Sequence, residues 1–237
     1  MKPVLVLQHM ASDGPGYLAT WLYRRGLPFE VFNTAAGQDF PVSIDGYGAL
    51  ALLGGEMSVN DELPSLRRAE DLIRQAMAAD LPVIGHSLGG QLIATALGAR
   101  VTEAPVPEIG WQRVQVAAHA QARAWFGEAR EATVFHWHYE RFELPPGAVL
   151  LASSAACAHQ AFAIGRHLAM QFHVEVDADK LLRWSACDDP EFLALQQRCP
   201  SVQSGAAMRA EADAALAAQQ RLADRIYARW LGVDEPA

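Results

Sequence analysis

Apolar and polar positions fall into two regimes along the chain. Over the first hundred residues, short apolar runs alternate with stretches whose apolar positions recur every three or four residues. PVLVLQ at 3–8 is apolar and rich in β-branched residues, the pattern of a buried strand. Leu18, Trp21 and Leu22 then recur at helical spacing until Gly26 and Pro28 stop them, and PFEVFN at 28–33 alternates as a second strand. ALALLGG at 49–55 reads as a third strand ending in a glycine pair. After a loop at 58–64, a helix from Leu66 to Ala79 carries Leu66, Ala69, Ile73 and Met77 on one face. In PVIGHSLGGQ, Val83 and Ile84 finish a fourth strand, while Leu88, Leu92, Ala96 and Leu97 continue as a helix, which puts Ser87 at the turn between them.

Strands separated by helices require crossovers, and crossovers cover both faces of a mostly parallel sheet. Binding sites in such sheets lie at the carboxyl ends of the strands. From 100 to 175 the pattern changes. WQRVQV, ATVFHWHY, AVLLAS, QAFAIG and HLAMQFHVEV follow one another across short Pro/Gly breaks with little room for helix, and read as antiparallel or mixed strands. Beyond Asp177 the chain is helical, and a last helix at 204–231 sets Leu222, Ile226 and Trp230 four residues apart, a core stripe by default.

Composition narrows the possibilities. The 237 residues, 51% of them hydrophobic and 19% charged, suit one large α/β domain over 1–237, with a core at about 3–176 and a helical extension at about 177–231. A net charge of −8 and the lack of a Lys/Arg cluster argue against a nucleic-acid surface. The apolar run before Gln8 is too short for a signal peptide or a membrane span, and Cys157, Cys187 and Cys199 show no CxxC spacing. A cytoplasmic protein with neither disulfide framework nor zinc site is expected. No Walker loop or GxGxxG is present, so no nucleotide cofactor, and no cofactor of any other kind, is expected.

Three motifs carry the chemistry. Gly85-His86-Ser87-Leu88-Gly89 is a GxSxG turn between strand and helix. Its small residues let the nucleophile's neighbours pack closely, and the helix start offers N–H groups and a positive dipole end to an oxyanion. His173 and Glu175, with one residue between them in QFHVEV, emerge on the same side of an extended segment, so the carboxylate can orient the imidazole while the imidazole faces a nucleophile. Gly54 and Gly55 end the third strand, where a glycine can turn an N–H toward a substrate oxygen. Among the other histidines, His136 and His138 alternate and could share a face. Spacing supplies no third ligand, so a surface or hydrogen-bonding role is expected and no metal site. His86 adjoins Ser87 but points the other way in a normal elbow. His9, with Ser12 and Asp13, follows the first strand and either borders the pocket or serves the loop.

LLGGEM, GHSLGGQ and QFHVEV, in this order and over roughly residues 3–176, resemble the class I glutamine amidotransferase family. GWQRV at 110–114 and FHWHYERFELPPGA at 135–148 are similar to the segment that precedes that family's catalytic histidine. The resemblance implies a flavodoxin-like three-layer sandwich and hydrolysis of the glutamine side-chain amide to glutamate and ammonia. It places Ser87 at the nucleophile, His173 at the base and Glu175 at the orienting acid. Gly55 and Leu88 would supply oxyanion N–H groups, Gln91 would lie near glutamine, and a separate synthase subunit would accept the ammonia. The family has cysteine where this chain has Ser87, and proline where it has Val174. A thiol of pKa about 8.5 ionises readily beside an imidazole, whereas a serine loses its proton only during attack. Two alternatives follow: a serine peptidase or esterase using Ser87, His173 and Glu175, or a non-catalytic ligand-binding homologue. GHSLGG is also an α/β-hydrolase elbow, but there the acid precedes the histidine. Glu108, Glu128 and Glu140 would be the acids to consider.

Overall fold

Each of the four early apolar runs forms a strand in the computed structural model, which describes residues 2–234. Strands β1 (Val4–Gln8), β2 (Phe29–Asn33), β3 (Ala49–Leu52) and β4 (Val83–His86) alternate with helices α1 (Gly16–Arg24), α2 (Pro64–Ala78) and α3 (Leu88–Ala96). The next strands are β5 (Val101–Val116), β6 (Glu131–Phe142), β7 (Val149–Ser153), β8 (Ala161–Ile164) and β9 (His167–Met170). All nine join one sheet in the order β2-β1-β3-β4-β9-β8-β7-β5-β6. The half from β2 to β9 is parallel, and the half from β9 to β6 is antiparallel. The fold is therefore the expected α/β sandwich with a parallel centre and an antiparallel flank.

Alternation divides the strand side chains between two cores. Val4, Val6, Ala49 and Ala51 face Trp21 and Leu22 of α1, while Leu5, Leu7, Leu50 and Leu52 face Leu66, Ile73 and Leu92 of α2 and α3. Four further helices follow the sheet: α5 (Ala178–Trp184), α6 (Pro190–Arg198), α7 (Gly205–Ala210) and α8 (Ala212–Leu231). Ala223, Ile226, Tyr227 and Trp230 of α8 enter the same core as Trp21, so the last helix completes the layer that α1 begins. Helices α5 to α7 cover a third cluster on β5 and β6, built on Ile109, Trp111, Phe135 and Phe192. No helix among the described residues is long and apolar enough to cross a membrane.

Three elements depart from the sequence expectation. A helix α4 (Ala120–Phe126) lies within the region read as strands; its cap is His119, whose Nδ1 accepts from the Ala122 N–H at 3.2 Å and whose Nε2 donates to the Leu150 carbonyl at 2.9 Å. A histidine cap lies outside the usual Ser/Thr/Asp/Asn signal. The last helix breaks at Glu211, whose side chain accepts from Gln203 Nε2 at 2.9 Å. HLAMQFHVEV does not remain extended: β9 stops at Met170, and His173 to Glu175 follow in a turn.

Candidate active site

Ser87 sits between β4 and α3 with φ 50° and ψ −112°. A positive φ strains any residue with a β-carbon, by about 1–3 kcal/mol, and persists only where the surroundings enforce it. Here the backbone does so. The Ser87 N–H donates to the Met170 carbonyl at 2.8 Å, and the Ser87 carbonyl accepts the Gln91 N–H at 3.0 Å. The helix following the turn is held against two strands. A β-carbon on Gly89 would run into the Leu52 backbone, and one on Gly90 into the Met170 backbone, so no larger residue fits this close approach. Leu88 opens α3, and the first N–H groups of a helix have no intrahelical acceptor.

His173 reaches the same edge of the sheet, because it follows β9, the strand paired in parallel with β4. Its N–H donates to the Phe135 carbonyl at 2.8 Å, anchoring the turn to β6, and its Nδ1 lies 2.6 Å from Glu175 Oε1. The pairing expected from the sequence is present, but a turn produces it rather than the alternation of an extended strand. A β-carbon on Gly54 would stand 2.8 Å from His173 Cε1, and one on Gly55 would stand 2.7 Å from a Leu88 methyl. The glycine pair therefore abuts both the imidazole and the start of α3. Trp184 meets the His173 ring edge-on, with centroids 4.9 Å apart.

Behind this pair lies a buried ionic network. Lys180 Nζ is fully buried, 2.5 Å from Asp13 Oδ1 and 3.3 Å from Glu175 Oε1. Burial alone would favour the neutral carboxyl of Glu175. The Lys180 ammonium, followed by His173 and His86, outweighs it and holds the group well below the usual carboxylate range. Lys180 is buried too, which works against its charge, yet Asp13 and Glu175 push its pKa above the ordinary value. His86 points away from the cavity, as expected. Its Nδ1 lies 3.3 Å from the Leu52 carbonyl, and its Nε2 lies 3.3 Å from the Tyr227 hydroxyl and 3.8 Å from Glu175 Oε2. Burial lowers its pKa and keeps it neutral.

Ser87, Leu88, Gly55, Gln91 and His173 all line one cavity of about 880 Å³. Gln91 is buried and its amide lies 3.3 Å from Gln171 Oε1. Ser12 and Asp13 border this cavity, whereas His9 is buried beside it with its ring edge-on to Phe40. Of the acids weighed for a hydrolase order, Glu140 lies on the rim bonded to Ser58, Glu128 is exposed, and Glu108 is buried facing His138. The imidazole of His173 is engaged by Glu175 instead.

Sequence reading missed Lys180, Trp184 and Tyr227, which come from helices α5 and α8. Asp13 and Lys180 are 167 positions apart, and no local pattern pairs them. Asp13, His173 and Glu175 have the spacing of a metal site, but the Lys180 ammonium already supplies the positive charge there. Of the two roles expected for His136 and His138, the surface one is excluded by burial, while His138 keeps the hydrogen-bonding one through the Glu140 carbonyl at 3.0 Å. Neither is at the surface, because α3 and α8 both pack against β6, and Glu108 on β5 joins them as a third buried donor.

Comparison with known proteins gives this geometry a lineage. The family "Glutamine amidotransferase class-I" matches residues 17–181. The glutamine amidotransferase-like protein YfeJ of Salmonella typhimurium is 33% identical over 180 residues, which is 70% of this chain and 74% of that protein. One of the subunits of a glutamine-hydrolyzing GMP synthase from Thermoplasma acidophilum is 34% identical over 137 residues, 56% of this chain and 66% of that one. The crystal structure of a glutamine amidotransferase from Methylobacillus flagellatus superposes with a TM-score of 0.90 at 37% identity, covering 100% of this chain and 97% of the other. With the family match running from α1 to α5 and taking in the elbow and the His173 turn, the chain belongs to the class I glutamine amidotransferase family.

Proposed function

We propose that the chain hydrolyses a carboxamide, with the glutamine side chain as the reference substrate, through Ser87, His173 and Glu175. The observation that carries this reading is the 2.6 Å contact between a charged, buried Glu175 and His173, which lines a cavity that also holds a strained serine at a helix start. Glu175 fixes the tautomer by accepting the His173 Nδ1–H, which leaves Nε2 as the base. His173 takes the Ser87 proton as Oγ attacks the amide carbon. The N–H groups of Gly55 and Leu88 receive the oxyanion. His173 then gives that proton to departing ammonia, and it activates the water that clears the acyl-enzyme. Gln91 supports the substrate end of the cavity. The whole chain from 1 to 237 acts as one unit, since α5 and α8 brace the acid.

Serine makes this a slower amidase than a cysteine would, because its proton must move during attack. The relatives named as GMP synthase subunits support a second proposal, that released ammonia passes to a separate synthase partner. A serine hydrolase acting on a larger amide or ester is favoured by one further observation: a cavity of about 880 Å³ far exceeds the needs of a single amino acid.

The test is ammonia release from glutamine, paired with p-nitrophenyl ester cleavage, for the native chain, Ser87→Cys and His173→Ala. The proposal expects Ser87→Cys to raise glutamine hydrolysis, and His173→Ala to lower turnover by about 10²- to 10⁴-fold. Ester cleavage that depends on His173, with no glutamine hydrolysis in either form, would replace glutamine by the larger acyl substrate. No turnover of either compound by any form would leave a binding homologue.

A further inference from the structure

Outside the Ser87 site, the polar cluster hardest to reconcile with its surroundings lies on the β5–β6 hairpin. We propose that Glu108, His136 and His138 bind one divalent transition-metal ion of the Zn²⁺ type, at the cavity wall and separate from Ser87. His136 and His138 are two residues apart on β6 and share a face, and Glu108 is registered directly opposite His138 on β5. One donor atom from each lies within 4.8 Å of the others, and all three side chains are buried.

The hydrogen bonds around them already have the arrangement of metal ligands. His138 Nδ1 is 3.0 Å from the Glu140 carbonyl, which can only accept, so Nδ1 carries the proton. In the neutral ring Nε2 therefore presents a lone pair, and it faces Glu108 Oε2 at 3.3 Å, another lone pair. A cation between the two turns that repulsion into two bonds. Gln160 Nε2 donates to the same Glu108 oxygen at 2.6 Å and fixes the carboxylate, the role outer partners play at metal sites. His136 is fully buried, and neither ring nitrogen has a hydrogen-bond partner among the described residues. Natural proteins rarely leave a buried imidazole so, and a metal bond would use its lone pair.

The donor set selects the ion. Two imidazoles and one carboxylate are ligands that Zn²⁺ accepts, leaving a fourth position for water, which the cavity beside His138 can supply. Tetrahedral metal bonds of about 2.0–2.2 Å set donors about 3.4 Å apart; His138 Nε2 and Glu108 Oε2 already stand 3.3 Å apart, and the His136 donor lies within 4.8 Å of both, within reach of side-chain rotation. A proton shared by His138 and Glu108 is the competing account. It would satisfy that pair but leave His136 as it is.

The experiment uses the full chain with Cys187→Ser and Cys199→Ser, which removes the partly exposed thiols, after dialysis against a chelator. Co²⁺ is added while visible absorption and thermal unfolding are followed, and Zn²⁺ is then added as competitor. The expected result is one Co²⁺ per chain with the absorption of a four-coordinate site, displaced by Zn²⁺, and a higher Tm in either metal. His138→Gln and Glu108→Gln should lose saturable uptake, Gln160→Leu should weaken Kd by about 10- to 100-fold, and His173→Gln should leave Kd within about twofold. Should a ligand variant fail to fold without metal, Gln160→Leu and the Tm shift of the parent chain still decide the matter. No stoichiometric uptake by the folded parent overturns the proposal, as does uptake that survives Glu108→Gln or that disappears in His173→Gln.

Discussion

Ser87 holds a backbone angle that costs stability and is kept by the bonds of Met170 and Gln91. Glycine adopts that angle freely, so Ser87→Gly should stabilise the fold by up to about 1 kcal/mol in urea unfolding while removing the proposed nucleophile. A loss of stability instead would show that the angle is not strained here. Lys180 is the converse case. Replacing it with Met leaves Asp13 and Glu175 buried without their counter-charge, and such a break costs about 3–5 kcal/mol. An unchanged midpoint would mean that the network is solvated rather than dry. At this scale the sequence shows the elbow and the His173–Glu175 spacing, because each is local. It cannot show Lys180 or Tyr227, whose partners are set only when α5 and α8 pack.

Elements divide in the same way. Strands β1, β3 and β4 are legible because burial on both faces leaves them almost wholly apolar, and α2 is legible from its stripe. The start of β5 is not. Its residues 101–109, VTEAPVPEI, are interrupted by Pro105 and Pro107, and the β5–β6 register shifts between Glu103 and Glu108, so alternation is lost. Helix α4 is under two turns long and capped by His119, which leaves little periodicity to detect. The contact between α3 and the sheet gives the element-scale prediction. Gly89→Ala drives a methyl into the Leu52 backbone and should cost about 1–3 kcal/mol, read by denaturant midpoint, with Ser87 displaced and turnover reduced. Full stability in this variant would mean that α3 can slide away from β3.

Across the whole molecule, acid should unfold the protein through its buried histidines before its carboxylates. Burial, against a smaller opposing effect of Asp13, lowers the pKa of His9 from 6.5 to about 4, and burial lowers that of His86 in the same direction. A group whose folded pKa is depressed takes its proton first in the unfolded state. Its contribution is therefore complete above pH 6.5 and is lost as pH falls toward the folded value. His9 alone should remove about 2 kcal/mol between pH 7 and pH 5. Glu175, depressed as well, extends the loss below its ordinary value of 4.5. Denaturant midpoints at pH 7 and pH 5 test this, and equal stability at both would show that His9 is hydrated. The sandwich itself was legible at this scale, since the order of strands and helices admits few other topologies. The closing of one layer by α8 was not, because an amphipathic stripe does not say which sheet it will cover.

The central claim is that Ser87 is an activated nucleophile with His173 as its base, and a fluorophosphonate probe tests it without assuming a substrate. Intact-mass spectrometry should show one adduct on the native chain, none on Ser87→Ala, and labelling at least about 100-fold slower on His173→Ala. An unlabelled native chain, or labelling at the same rate without His173, would contradict the account.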